Sequence, residues 1–146
     1  MGTLLDTTVF IELERATREL PPALAMSAVG DRLQEVLGAE EEVGIATITA
    51  SELIHGVHRA SEEHRARREA FVETTLIAFP ALPFDLVAAR VHARIWAQLV
   101  ASGREVGAHD RIVAATAIAS GWTVATANQR HFQHIPGLST TGISLG

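Results

Sequence analysis

Short apolar segments with no polar–apolar alternation recur between helix-like segments of this chain, and they constrain its fold more than any other feature. The clearest lie at Thr3–Leu5, Val43–Ile48 and Trp122–Thr126. A strand that is apolar on both faces has to be covered on both faces, which is typical of a parallel sheet between two layers of helices. The sequence therefore predicts a three-layer α/β/α domain with a central, mostly parallel sheet.

The segments between these strands carry the usual signals of helix starts and ends. Two further strands are expected, one within residues 77–84 and one at residues 142–144. A chain of 146 residues with no linker and no internal repeat fits a single domain, residues 1–146. The predicted helices begin at about Thr7, Pro22, Thr49, Ser61, Asp85 and Asp110.

The helix that begins after Asp85 is apolar over much of its length. Its mean hydropathy contributes to a high value for the whole chain, +0.19. We therefore expect an apolar face that packs against a second copy or a partner, with this helix as a candidate for it. The residues that recur at helical spacing, and that predict its apolar stripe, are Leu86, Ala89, Ala93, Trp96 and Val100.

The composition excludes several classes of chemistry. The chain has no cysteine, so disulfides, thiolate metal sites and cysteine nucleophiles are excluded. All 12 basic residues are arginine, which excludes the phosphate-binding lysine of a P-loop. No apolar stretch approaches the ~20 residues that span a bilayer, and residues 1–5 lack the basic segment of a secretion signal. We expect a cytoplasmic protein with no membrane association.

Three acidic residues stand at corresponding places in the predicted sheet. Asp6 follows the first strand, Glu52 lies in the first turn of the helix after the second, and Asp110 begins the helix before the Trp122–Thr126 strand. Ligands of such sheets bind beyond the carboxyl ends of the strands. Carboxylates that converge there repel one another unless a cation neutralises them. Oxygen ligands suit Mg²⁺ or Mn²⁺, and such an ion can activate water for attack on a phosphodiester.

Each acid also has a purely structural explanation. Asp6 is placed to cap the helix that begins at Thr7, and Asp110 to stabilise a helix N-terminus. The segment from Thr49 to Glu52 matches the capping box, in which the glutamate bonds back to the cap residue. Position alone therefore leaves both interpretations open.

The residues around these acids favour the metal site. Four segments resemble, in order and over essentially the whole chain, the motifs of the PIN-domain family. They are residues 4–9 (LLDTTV), 51–57 (SELIHGV), 107–115 (GAHDRIVAA) and 126–132 (TANQRHF), the last followed by 135–138 (IPGL). Within the family, the chain is most similar to the VapC-type toxins of bacterial toxin–antitoxin pairs.

This resemblance implies a function. It implies that Asp6, Glu52 and Asp110 bind Mg²⁺ or Mn²⁺ and that the protein hydrolyses RNA. It also implies a homodimer, silenced by a cognate VapB-type antitoxin that blocks the active site.

The last motif departs from the family pattern, which often has a fourth acid where this chain has Asn128 or His131. We expect Asn128 to orient a water at the metal, His131 to contact water or phosphate, and Thr7 and Thr126 to add hydroxyl contacts. The departure leaves open an alternative function, a catalytically lapsed PIN-like module that binds RNA or a partner. A phosphate-accepting receiver domain is a further alternative, but it requires a lysine that the chain lacks.

The net charge of -5 argues against a nucleic-acid partner unless positive charge is concentrated locally. The densest basic segment lies within residues 59–68, where interleaved glutamates also permit an ordinary solvated helix face. The candidates for RNA binding are Arg59, Arg65, Arg67, Arg68 and Arg111.

Overall fold

The computed structural model describes residues 2–144, and the central feature of its fold is a five-stranded parallel sheet. The strands are β1 (Gly2–Leu5), β2 (Glu42–Ala46), β3 (Ala81–Leu82), β4 (Thr123–Thr126) and β5 (Thr140–Gly142), arranged in the order β3-β2-β1-β4-β5. All four pairings are parallel, so the predicted mostly parallel sheet is confirmed, and in the described residues it is parallel throughout. Residues 1, 145 and 146 of the predicted 1–146 domain lie outside the described residues.

Six helices cover the two faces of the sheet. They are α1 (Thr7–Ala16), α2 (Pro22–Leu37), α3 (Thr47–Arg59), α4 (Glu62–Ala78), α5 (Leu86–Ala101) and α6 (Ala108–Ser120). Helices α1 to α4 pack on one face and α5 and α6 on the other, as the two separate core clusters show. This confirms the predicted three-layer α/β/α domain.

The strands supply both clusters because neighbouring strand residues point to opposite faces. In β1, Leu4 joins the cluster under α5 and α6, and Leu5 joins the cluster under α1 to α4. Val124 and Ala125 divide in the same way in β4. These side chains are fully buried, which explains why the strand segments contain no alternating polar residues.

The start of α3 differs from the prediction. Strand β2 ends at Ala46 and the helix begins at Thr47, two residues earlier than expected, because the β-branched Ile48 extends the apolar run of the strand into the helix. Thr49 therefore lies inside the helix, where its hydroxyl is buried without a hydrogen-bond partner. The capping-box interpretation of Thr49 and Glu52 is wrong, and Glu52 stands in the second turn of the helix, not the first.

Of the two further strands, one lies within its predicted segment and the other is displaced by two residues. Helix α4 continues to Ala78, so only Ala81–Leu82 of the 77–84 segment pairs with β2. The last strand is Thr140–Gly142 and not 142–144, since it pairs with β4 from Val124 onward.

The predicted apolar stripe of α5 does not face the core. The residues that α5 buries are Ala88, Val91, Ile95 and Leu99. Leu86, Trp96 and Val100 are 66%, 51% and 69% exposed. Alanine, valine and leucine surround most of this helix, so its periodicity did not identify the inner face. Its outer face remains apolar and exposed.

Glycine is required where the first strands meet Trp122. A Cβ atom on Gly2 would lie 2.0 Å from the indole ring, and one on Gly44 would lie 2.9 Å from the carbonyl oxygen of Pro80. Both strands thereby pack closely at the end of the sheet opposite the acidic residues. No helix in residues 2–144 has the length and apolarity needed to cross a bilayer.

Candidate active site

The predicted acids lie in one cleft beyond the carboxyl ends of the central strands. Asp6 follows β1 directly, and its backbone N–H donates to the carbonyl of Ala125 in β4 at 2.9 Å. Glu52 comes from α3, which follows β2, and Asp110 comes from the first turn of α6. All three line a single cavity of about 530 Å³, the acidic cleft. Its lining residues are Asp6, Thr7, Thr8, Ile11, Glu52, Gly107, Ala108, His109, Asp110 and His131.

Asp6 is the most buried of the three acids, with 3% of its surface exposed. It occupies the cap position of α1, but its side chain makes no capping hydrogen bond. Instead its Oδ2 accepts hydrogen bonds from the hydroxyls of Thr8, at 2.8 Å, and Thr126, at 2.9 Å. A buried carboxylate held by two donors keeps a fixed orientation, so the capping explanation of Asp6 is wrong and a site function fits better.

Glu52 is held by two residues from different elements. The Thr7 hydroxyl donates to its Oε1 at 2.7 Å, and Nδ1 of His109 lies 3.2 Å from its Oε2. These contacts tie α3 to the starts of α1 and α6 at the mouth of the cleft.

Asp110 is the acid of the cleft whose pKa is clearly shifted. Burial, followed by the charge of Asp6 and, more weakly, that of Glu52, raises the pKa of Asp110 to about 6, against the lowering effect of His131 and His109. The negative charges of Asp6 and Glu52 therefore disfavour ionisation of Asp110. A cation placed among them would remove this repulsion.

The last motif reaches the cleft through His131. Its Nδ1 lies 3.8 Å from Oδ2 of Asp110, and its Nε2 lies 3.0 Å from Nδ2 of Asn128. Asn128 itself does not line the cavity, and its Oδ1 accepts from the backbone N–H of Arg130. Thr126 contacts Asp6 and not the open cleft.

Two residues of the site were not predicted as members of it. Thr8 bonds to Asp6 and accepts from the backbone N–H of Ala127 at 3.1 Å, which joins the ends of β1 and β4. His109 contacts Glu52. Both stand beside a predicted site residue in the sequence, which is the signal that was available.

The predicted RNA-binding arginines do not lie in the acidic cleft. Arg59, Arg67 and Arg68 line a second cavity of about 410 Å³, the basic cavity. The guanidinium of Arg65 bonds to the carbonyl of Ala60, and that of Arg111 lies 5.1 Å from the ring centre of Trp96 and donates to Val106. The lining residues of the basic cavity are Glu14, Thr17, Arg18, Leu20, Pro22, Ala25, Arg59, Ala60, Ser61, His64, Arg67, Arg68 and Phe71.

The cleft fits a divalent metal ion by its chemistry. Three carboxylates around one cavity, one of them with a pKa raised by its neighbours, form a set of hard oxygen ligands with uncompensated charge. Within residues 2–144, however, no three acidic or histidine side chains lie close enough together to share one ion. Joint binding would require the three carboxylates to lie closer together than they do here.

A doubly wound α/β domain with an acidic cleft beyond its strand ends is the class that this fold and site define. The PIN domain family model matches residues 3–138. Ribonuclease VapC1 of Rickettsia felis is 32% identical over 145 residues, which cover 99% of this chain and 98% of the relative. The tRNA(fMet)-specific endonuclease VapC of Salmonella typhimurium is 35% identical over 94 residues, 64% of this chain and 70% of the relative. The solved structure of DNA-bound VapBC from Salmonella typhimurium matches with a TM-score of 0.78 and 28% identity, over 97% of this chain and 98% of that one.

The chain belongs to the PIN-domain family, and its resemblance to the VapC type within that family is confirmed. Membership of this family supports a general requirement for a divalent metal ion.

Proposed function

We propose that this chain is the toxin component of a type II toxin–antitoxin system, an endoribonuclease that hydrolyses RNA phosphodiester bonds with a divalent metal ion. The observation that carries the proposal is the shared cleft of Asp6, Glu52 and Asp110, in which burial and the charges of Asp6 and Glu52 raise the pKa of Asp110. Relatives of matching length are named ribonucleases, which agrees with the prediction made from the four motifs.

Asp6, Glu52 and Asp110 would hold the ion, which we assign as Mg²⁺ with Mn²⁺ as a substitute, because both prefer oxygen ligands. When bound, the ion would supply an activated water and neutralise charge on the phosphodiester. A positive charge among the three carboxylates would offset the repulsion that contributes to the raised pKa of Asp110.

The protein's own residues orient these ligands. Thr8 and Thr126 donate to the same oxygen of Asp6, Oδ2, and thereby fix the carboxylate with its other oxygen available. Thr7 orients Glu52 in the same way. Such supporting contacts matter because a misoriented ligand binds metal more weakly. His131 lies at the cleft mouth with 47% of its side chain exposed, where it can contact water or a phosphate oxygen, and Asn128 positions its ring.

The absence of an acid at positions 128 and 131 motivates one alternative function. A catalytically lapsed PIN-like module would bind RNA or a partner without cleavage under any divalent ion. All three acids line one cleft, which favours the active enzyme over the lapsed module.

The proposal extends to partners and organisation. Solved relatives are VapBC complexes, so we propose a VapB-type antitoxin as the partner of this chain, together with an RNA substrate. We further propose a homodimer, a single PIN domain over residues 1–146, and action in the cytoplasm, where RNA is available.

The direct test is cleavage of RNA by the purified protein, free of its partner. We expect cutting with Mg²⁺ or Mn²⁺ that stops with EDTA. Asp6→Asn and Asp110→Asn should each lower the rate more than about 100-fold, because loss of even a supporting group around a metal costs 10–100-fold.

Asp31→Asn is the matched control, because Asp31 is exposed on α2. This variant should cleave RNA as the wild type does. Full activity of Asp110→Asn would contradict the site. RNA binding without cleavage under every divalent ion tested would favour the lapsed module.

A further inference from the structure

The basic cavity lies at the opposite end of the helices from the acidic cleft. Helices α1 and α3 both start at the cleft, near Thr7 and Glu52, and both end at the cavity, near Thr17 and Arg59. With a rise of about 1.5 Å per residue, the helix axes place the two sites roughly 10–15 Å apart. The two sites are therefore separate but within reach of one polymeric ligand.

Positive charge in the cavity is only partly neutralised. Arg68 pairs with Glu14 at 2.9 Å, and the ring of His64 lies 3.9 Å from Glu63. Arg18, Arg59 and Arg67 form no ion pair with any residue in 2–144. A protein with a net charge of -5 thus concentrates three exposed, uncompensated guanidinium groups around one concavity.

The apolar part of the cavity lining is only partly covered. Ala25, Phe71 and Ala60 are 3%, 7% and 9% exposed, but Leu20 reaches 39% and Pro22 is exposed as well. A ligand in the cavity would therefore meet apolar surface as well as arginine side chains. The three unpaired guanidinium groups favour a ligand that carries negative charge.

Helix α3 connects the two sites without a repelling charge. Glu52 is its only carboxylate, and His55, Gly56 and Arg59 follow at the spacing that places them on the same side of the helix. His55 is exposed, and the space beside Gly56 is open. A polyanion can thus lie along α3 from the cleft to the cavity.

We propose that the basic cavity is a second RNA-binding site, in which Arg18, Arg59 and Arg67 contact phosphates of the same RNA strand that enters the acidic cleft. The inference rests on the proposed ribonuclease function and adds to it a site remote from the cut. Contact at two separated sites lets an acidic protein hold RNA while its catalytic cleft remains negative.

The test measures RNA affinity and not cleavage. Binding of a fluorescein-labelled oligouridylate, long enough to span both sites, is followed by anisotropy in EDTA, so that no RNA is cut. The double variant Arg59→Ala/Arg67→Ala should bind about 10-fold more weakly, and its dependence of log K on log salt should flatten by about 1.4, the value for two phosphate contacts on a single strand.

Arg90→Ala/Arg94→Ala is the matched control. It removes the same charge from exposed positions on α5, on the other face of the sheet, and should retain wild-type affinity. The conservative variant Arg59→Lys/Arg67→Lys should recover most of the lost affinity, and circular dichroism checks that all variants fold.

Two results would overturn the proposal. They are an equal loss in the α5 control and unchanged RNA affinity of the cavity variant, which would leave the cavity to a protein partner. Because binding is measured without metal, failure of the cleavage reaction and failure of this second site give different results.

Discussion

Asp110 is the residue at which the charge of the acidic cleft has its largest consequence. Its pKa of about 6 lies above the ordinary 3.8 because burial and the neighbouring carboxylates penalise its ionised form. In the metal-free protein this penalty is absent below pH ~4, grows as Asp110 ionises, and is complete above pH ~6, so ionisation of Asp110 destabilises the fold at neutral pH.

Asp110→Asn should therefore stabilise the metal-free protein in a pH-dependent way. Asparagine is neutral at every pH, so we expect the Tm to rise by about 3 °C or more near pH 8 and the difference to disappear near pH 4. Thermal unfolding in EDTA, followed by circular dichroism at several pH values, measures it. An equal Tm difference at both extremes would show that the charge of Asp110 is not its source, and Asp31→Asn should show no such dependence.

The sequence predicted the carboxylates of the site better than the groups that support them. Asp6, Glu52 and Asp110 follow from the rule that places ligand sites at strand ends. Thr126 could not be paired with Asp6, because their hydrogen bond joins residues 120 positions apart in the chain. Thr8 stands only two residues from Asp6, but the pattern does not reveal that its hydroxyl turns back to the carboxylate. Thr49 and Glu52 matched a capping box that the fold does not form, since the pattern does not reveal that the helix begins at Thr47.

At the level of the elements, the starts of helices were predicted better than the faces that they bury. The helix after Asp85 begins where expected, and Oδ1 of Asp85 accepts from the backbone N–H of Ala88 at 3.0 Å. The inner face of the same helix could not be predicted, because both its sides are apolar. A cap is a local interaction that sequence specifies, whereas the choice of face depends on α6 and the sheet.

Asp85→Ala should lower the free energy of unfolding by about 1 kcal/mol, the usual cost of removing a helix cap. Ser61→Ala is the natural comparison, because Ser61 occupies the cap position of α4 but its side chain makes no capping hydrogen bond. We expect a change of no more than about 0.3 kcal/mol there. Urea unfolding of both variants gives the values, and equal effects would show that the Asp85 hydrogen bond contributes nothing.

For the whole molecule, the order of strands and helices predicted the three-layer architecture and the edge of the sheet that carries the site. The position of the arginines relative to that edge could not be predicted from the sequence. Residues 59–68 appear as one basic segment, but α3 ends and α4 begins within it, which carries them to the end of the molecule opposite the acids. Such a separation depends on the lengths and directions of packed helices, which periodicity does not give.

The central claim is that Asp6, Glu52 and Asp110 together bind one divalent ion. Isothermal titration of Mn²⁺ into the purified, partner-free protein tests it most directly, with Asp6→Asn, Glu52→Gln and Asp110→Asn titrated beside the wild type. We predict saturable binding by the wild type that each of the three substitutions weakens more than about 10-fold. Undiminished Mn²⁺ binding in any one of the three variants would contradict it.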